Sequence, residues 1–535
     1  MSPQKAQDVW LELAMSAPVT MRSRHLIILG LALLWFSFPA LGQTPTSTVW
    51  HLPLDPQAHQ VFDGCHAAGV LVPSVQPMTT WNRPDSLKPT EQGFDGLSVL
   101  GEARQMLGDF TATGTAIGLG GSGTFGLRGS YHIAATRWRM PLGFPLAREV
   151  ADHASMDGLG RAVLLNESVA SIDRIEGALS WALSPSVAFR VGQESHHWGR
   201  GARSLFLDRH MAPAAGARLW VDAGIVQYAQ VLLRTRHVVA DTVETGWLAA
   251  QWAEVSLGGG WSGALFGAVK WRANDVAFDH RVEPHYLVPM AAFRPREYNL
   301  GSSDNALLGA QLSHVHVSKR GQQITAYGQL LLDELLVSKL LEGNQWWGNK
   351  WGVLAGTHWM NQKGTMGWLL EGSAVRPWTY THNTLPLSYS HLHQPLGHPG
   401  GANFVEGRAR FRVMIGDELT LRVGYLRRIQ GRSIGGGEGL LGFAAGEMPW
   451  TSFSERDGED GHLLLQGSTS TVSRLELDFS KPLGSRIGVS GIEAFVRTWL
   501  RLEEQSNPGA WEEPWNAGRL EVGIRQTRVM DERDW

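Results

Sequence analysis

Between Val405 and Ile415 apolar and charged side chains take turns. Odd positions carry Val405, Gly407, Ala409, Phe411, Val413 and Ile415, and even positions carry Glu406, Arg408, Arg410, Arg412 and Met414. A period of two predicts a β-strand with one apolar and one polar face. Gly416-Asp417 supplies a turn. Leu419, Leu421, Val423 and Tyr425 then alternate with Thr420, Arg422, Gly424 and Leu426, so the two segments predict a hairpin with a very short turn. Leu475, Leu477 and Phe479 alternate with Arg474, Glu476 and Asp478, and Leu520, Val522 and Ile524 alternate with Arg519, Glu521 and Arg525. Trp261, Gly263, Leu265, Gly267, Val269 and Trp271 predict an apolar strand face with tryptophan at both ends, the disposition of an aromatic girdle. Weaker alternation marks 113–120, 122–132, 185–193, 217–228, 246–256, 305–317, 323–332, 351–358, 365–375 and 486–500. No long amphipathic helix is evident, and 334–342 is a candidate for a short one.

Soluble sandwiches and β-helices also alternate. Rows of Arg and Glu on one face suit a wet lumen, and strands of about 9–11 residues fit a tilted membrane crossing. Short hairpin turns are interleaved with long polar stretches such as 429–470. The fold expected is all-β, an antiparallel transmembrane β-barrel of about 18 strands with short helices and loops obstructing its lumen. Composition agrees. Gly is 63 of 535 residues, Trp outnumbers Tyr 23 to 8, and charged residues are only 18%. The net charge of −3 gives no support to nucleic-acid binding. One cysteine excludes a disulfide scaffold and an all-cysteine metal site.

The N-terminal segment carries an export signal. Met21 to His25 is basic through Arg22 and Arg24, Leu26 to Phe38 is almost wholly apolar, and Ala40-Leu41-Gly42 offers a small-residue cleavage site. The run is too short for a spanning helix. Met15 and Met21 are alternative starts for residues 1–20. The domains expected are a signal peptide over 1–42, an exported segment over 43–110, a barrel over 111–529 and a tail over 530–535. Alternation stops near Val529, and Met530 to Asp534 separate it from the aromatic terminus Trp535.

Catalytic and metal signatures are weak. Gly118 to Gly123 matches a dinucleotide glycine pattern but lacks a following helix. His314 and His316, and His391, His393 and His398, have no acidic or cysteine partner at ligand spacing. Asp333-Glu334 and Glu512-Glu513 are adjacent, whereas an acid–base pair faces across a substrate. No catalytic residue, metal or cofactor is expected. Three aromatic and polar segments are more distinctive: 191–213, with His197, Trp198, Arg200 and Arg203 in a glycine-flanked turn; 327–352, with Trp346-Trp347; and 380–403. Aromatic faces beside hydrogen-bonding side chains can hold sugars. The alternative is that these tryptophans belong to girdles or plugs and that the arginines pair with barrel carboxylates.

Together, HWGRGARSLFL (197–207) before Ala212-Pro213, YGQLLLDE (327–334) before WWGNKWG (346–352), and YTHN (380–383) before PLGHPGGAN (395–403) resemble the capsule-assembly (Wzi) outer-membrane family, in particular divergent members of Bacteroidetes-type bacteria. The resemblance implies a non-enzymatic outer-membrane protein that binds or organises surface polysaccharide. Glycan contact falls on His197, Trp198, Arg200, Arg203, Trp346 and Trp347. The partners implied are surface polysaccharide and outer-membrane lipid, without nucleic acid, and capsule-export or surface-machinery proteins are candidates too. The alternatives are an outer-membrane pore and a component of a surface secretion or gliding machine.

Overall fold

In the computed structural model, described residues run from 93 to 526, apart from 109–111, 126–127, 143, 157–158, 185, 240–241, 276–277, 280–282, 290–303, 417–418, 435–441, 484–491, 507–513 and 515. Residues 1–92, with the expected signal segment, and 527–535, with the expected tail, lie outside them.

Eighteen antiparallel strands form one ring. They are β1 Gly93–Gly108, β2 Ala112–Phe125, β3 Gly129–Pro141, β4 Val169–Ser184, β5 Val187–Glu194, β6 Ala214–Asp222, β7 Val226–Val239, β8 Thr242–Gly258 and β9 Trp261–Arg272, then β10 Asn305–Val317, β11 Gln323–Glu334, β12 Lys350–Met360, β13 Met366–Val375, β14 Phe404–Ile415, β15 Leu419–Arg432, β16 Ser468–Pro482, β17 Ile492–Gln505 and β18 Ala517–Gln526. Each pairs with its sequence neighbour, and β1 closes on β18, Glu102 opposite Arg525 through Gly108 opposite Arg519. The barrel therefore begins at Gly93 rather than at 111, because closure needs β1. Closure leaves no unpaired edge, the condition for a sheet in lipid.

Direction alternates around the ring, so the connections sort onto two ends. One end holds the described residues of the connections after β2, β4, β6, β8, β10, β12 and β14, together with the start of β1 and the ends of β16 and β18. The other holds the described residues of the long connections 142–168, 195–213, 273–304, 335–349, 376–403 and 433–467.

Alternation decides what faces each way. On β14, Val405 and Gly407 are exposed whereas Glu406 and Arg408 are buried; Thr420 on β15 is buried too. Outward-facing side chains include Ile117 at 66% exposure and Leu265 at 68%, with Ile133, Leu312, Leu475 and Val522. A soluble monomer rarely exposes so wide an apolar band, which hydrocarbon would cover at a gain of about 25 cal/mol per Å². With inward Arg and Glu, this is the section of a membrane-spanning barrel.

The girdle expected on β9 is half right. Trp261 is 45% exposed, but Trp271 is buried. Tyr286, from the 273–304 connection, lies 5.1 Å from the Trp271 ring and packs outside the wall with Ala249, Val269 and Ala306. Gln230 and Gln251, also on the outer surface, donate to the Tyr286 and Val288 carbonyls at 3.2 and 3.0 Å. A strap of chain thus covers this part of the barrel.

Among the described residues, two short α-helices accompany the strands. α1 Phe144–His153 lies in the lumen, its Ala147 and Val150 packed on the inward-facing Trp138, Met140 and Ile172. α2 Val337–Glu342 falls within 334–342 and buries none of its residues, so it obstructs nothing.

Candidate functional site

The three segments singled out above meet inside the barrel. Residues 195–213 leave β5 and turn inward at Gly199, whose φ of +120° suits glycine. A Cβ there would stand 2.3 Å from Gln329 Nε2, and one on Gly201 would stand 2.6 Å from Glu371 Oε2. The wall has closed to the distance of a bare backbone, so both positions require glycine.

Wall side chains then hold the turn by its main chain. Glu371 on β13 accepts from the Ala202 and Arg203 N–H groups at 2.9 and 3.0 Å, and from the Tyr327 hydroxyl at 2.7 Å. Gln311 accepts from Arg200 N at 2.9 Å, and Gln329 accepts from Leu205 N at 3.0 Å. Residues 376–403 hold the turn from the other side. The Tyr380 hydroxyl donates to Leu205 O at 2.8 Å, Tyr389 donates to Phe206 O at 2.9 Å, and Asp208 N donates to Leu396 O at 2.8 Å. Lys270, fully buried on β9, donates to the Ser390 carbonyl at 2.6 Å and to the Ser388 carbonyl, and contacts His237 Nε2 at 2.8 Å. Leu205, Phe206, Leu207 and Met211 are buried against the inward-facing Leu233, Trp252 and Phe266, forming an apolar plug core.

The candidate residues fall in two places. Trp198 is 1% exposed, with Trp252 and Phe266 at 6.5 and 6.1 Å. Arg200 pairs with Glu254 at 2.9 Å. Arg203, fully buried, lies 3.6 Å from Glu406 and contacts His210. His197 Nε2 lies 2.9 Å from the Gly201 carbonyl. Burial, then Arg209, holds the His197 pKa at about 3, so it is neutral. Burial opposes charge on Asp208, but His210, His197 and Arg203 outweigh it and keep the carboxylate ionised. These four residues are committed to protein contacts in the plug.

Trp346 and Trp347 stand at the end with the long connections. Both indole N–H groups reach Glu459, at 3.3 and 2.8 Å. Arg456 stacks 4.2 Å from the Trp347 ring, and Phe453 lies 4.8 Å from it. Trp347 is thereby a clamp between 335–349 and 433–467, while Trp346 stays partly exposed. A second aromatic group at this end was not legible in the sequence. His153 of α1 stacks on His393 at 4.5 Å, and Trp450 lies 6.0 and 5.6 Å from the two rings. Three connections far apart in sequence supply it, and no spacing rule unites them.

Of the other candidates, Asp333 and Glu334 both approach Lys350, at 3.3 and 3.4 Å, and Asp333 also accepts from Tyr380 N. His391 Nδ1 accepts from Arg236 N at 2.9 Å, and His398 lies 3.0 Å from Ser373 Oγ. Among the described residues, no three His, Cys, Asp or Glu side chains gather as a metal would require.

No protein-family model matches the chain, and no curated protein matches it. Solved outer-membrane proteins are similar to it at low identity. Wzi, an outer-membrane protein involved in group 1 capsule assembly in Escherichia coli and a carbohydrate-binding β-barrel, is 11% identical, with a TM-score of 0.49 over 80% of this chain and 84% of Wzi. Pseudomonas aeruginosa OprD is 11% identical, with a TM-score of 0.41 over 81% of this chain and 95% of OprD.

Proposed function

We propose that the protein resides in a bacterial outer membrane, exported by a leader cleaved after Gly42, and binds or organises a surface polysaccharide without catalysis. The observation that carries this reading is the plug. Two long connections fill one side of the lumen with a buried core, and their distinctive residues face protein rather than solvent. A wall built to hold a plug serves a fixed outer surface more directly than a passage. Glycan contact then falls to the end bearing the long connections. There Trp346 and the His153–His393–Trp450 group offer partly exposed rings anchored by neighbours, the arrangement that stacks sugar CH faces. The HWGRGARSLFL turn acts beneath them, fixing the connections from inside. The sequence resemblance to the capsule-assembly family points the same way.

Cells carrying Trp346→Ala with Trp450→Ala should retain a heat-modifiable barrel but shed polysaccharide into the medium. Unchanged surface polysaccharide with a folded variant would sink the reading. N-terminal sequencing of the membrane-extracted protein should begin at Gln43, and a start upstream of Met21 would refute the leader.

A further inference from the structure

The wall away from the plug has a different chemistry. From β14 to β18 the inward positions run in registered rows. One row is Arg412, Arg422, Asp478, Arg497 and Glu521; the next is Arg410, Gly424, Glu476, Trp499 and Arg519; the third is Arg408, Leu426, Arg474 and Arg501. These three adjacent rows hold eight arginines and three carboxylates, so 8 − 3 leaves five positive charges in excess.

The carboxylates are already shared. Asp478 accepts from Arg422 at 3.0 Å and from both Arg525 terminal nitrogens at 2.8 and 2.9 Å. Glu476 takes Arg474 at 3.1 Å and Arg497 at 2.9 Å. Guanidinium groups of Arg474 and Arg519 lie 5.3 and 5.2 Å from the Trp499 ring. Among the described residues, Arg408 has not even a shared partner. It is 8% exposed, and its Nη1 is buried with nothing to donate to. Its register neighbour Glu371 spends both oxygens on the plug turn and Tyr327. Buried guanidinium without an acceptor is costly, and an excess of like charge along one wall draws counter-anions. Guanidinium forks match carboxylates in geometry.

We propose that the inner wall of β14–β18 is a binding site for carboxylate groups borne on a saccharide, such as a uronate-containing segment, with Arg408 and Arg412 as direct ligands. The site deepens the surface-polysaccharide reading and rests on it for the saccharide; the demand for an anion comes from the wall itself.

The test uses the full-length protein, refolded in detergent and checked for heat-modifiable mobility. Calorimetry with oligogalacturonate should show binding that weakens as salt rises, while neutral maltoheptaose shows none. Free galacturonate should bind more weakly than the oligomer; equal affinity would overturn the assignment to a saccharide segment in favour of a small-solute site. Arg408→Gln and Arg412→Gln, each removing a charge-assisted bond, should each weaken oligogalacturonate binding about tenfold or more. Equal binding of the charged and neutral oligomers, absence of binding, or unchanged affinity in both folded variants would overturn the site. The two proposals fail separately. Oligogalacturonate binding that persists while Trp346→Ala with Trp450→Ala leaves surface polysaccharide unchanged removes the surface reading and keeps the site. Shedding by that variant without oligogalacturonate binding does the reverse.

Discussion

Glu371 holds the plug turn more directly than any other wall residue, and its loss gives a calculable result. Its two oxygens accept two main-chain N–H groups and a tyrosine hydroxyl, all buried. In Glu371→Ala those three donors lose their acceptor in a site closed to water. A buried donor left unsatisfied costs about 1–3 kcal/mol. The three share one carboxylate and do not add fully, so the set costs roughly 3 kcal/mol, the low end of the additive range. Strand pairing does not involve this side chain, so the loss falls on opening of the plug rather than of the barrel. At about 1.4 kcal/mol per decade, the open plug becomes roughly a hundredfold more populated. Hydrogen exchange measures this opening. Amides from Arg200 to Asp208 should lose about two decades of protection, while amides of β14 to β18 keep theirs. Glu371→Gln keeps one acceptor oxygen and should lose less. Unchanged protection over 200–208 in a heat-modifiable Glu371→Ala barrel would refute the claim that this carboxylate anchors the plug.

Orientation can be tested on β14. Phe411→Arg sets a charge against lipid at about 2–4 kcal/mol, whereas Arg410→Phe alters the lumen. The first should impair heat-modifiable folding far more, and equal effects would contradict the assignment of faces. Acid should loosen the plug. Burial holds His197, His391 and His398 at about 3, against 6.5 when unfolded. Because the unfolded plug then binds more protons, their contribution is complete above about pH 6.5 and is lost as pH falls toward 3. Exchange protection over 195–213 should fall between pH 7 and pH 4, and a flat profile would argue against neutral buried imidazoles. Tyr286→Ala should uncover Trp271 and shift its emission, with about 3 kcal/mol or more lost from the strap. An unshifted spectrum would place the strap off the wall.

The strands easiest to read in the sequence are those whose lumen face is wet. On β14 and β15 arginines oppose valines and leucines, so period two is plain. β4 and β7 escaped as complete strands because α1 and the plug cover their inner faces. Inward Ala170 and Ile172 on β4, and Ala229, Val231 and Leu233 on β7, are as apolar as the lipid side. A filled lumen erases the alternation. The candidate segments were legible as clusters of aromatic and glycine residues, and the structure brings all three together. Their placement was not legible, because Trp198 and Arg203 are buried by wall residues more than fifty positions away. Glu371 gave little signal, being one acid in a run of Leu369, Leu370 and Gly372, although an acid at an inward position of an apolar strand marks such an anchor. The His153–His393–Trp450 group comes from three separate connections, and only the closed ring unites them.

The central claim is that the surface above the plug engages a polysaccharide. A glycan array probed with the folded, detergent-solubilised protein measures this most directly. The account predicts retention of a narrow set of bacterial surface polysaccharides, lost in the folded Trp346→Ala with Trp450→Ala variant. Absence of retention on every glycan, together with steady ion conductance across planar bilayers, would contradict it and identify the barrel as a pore.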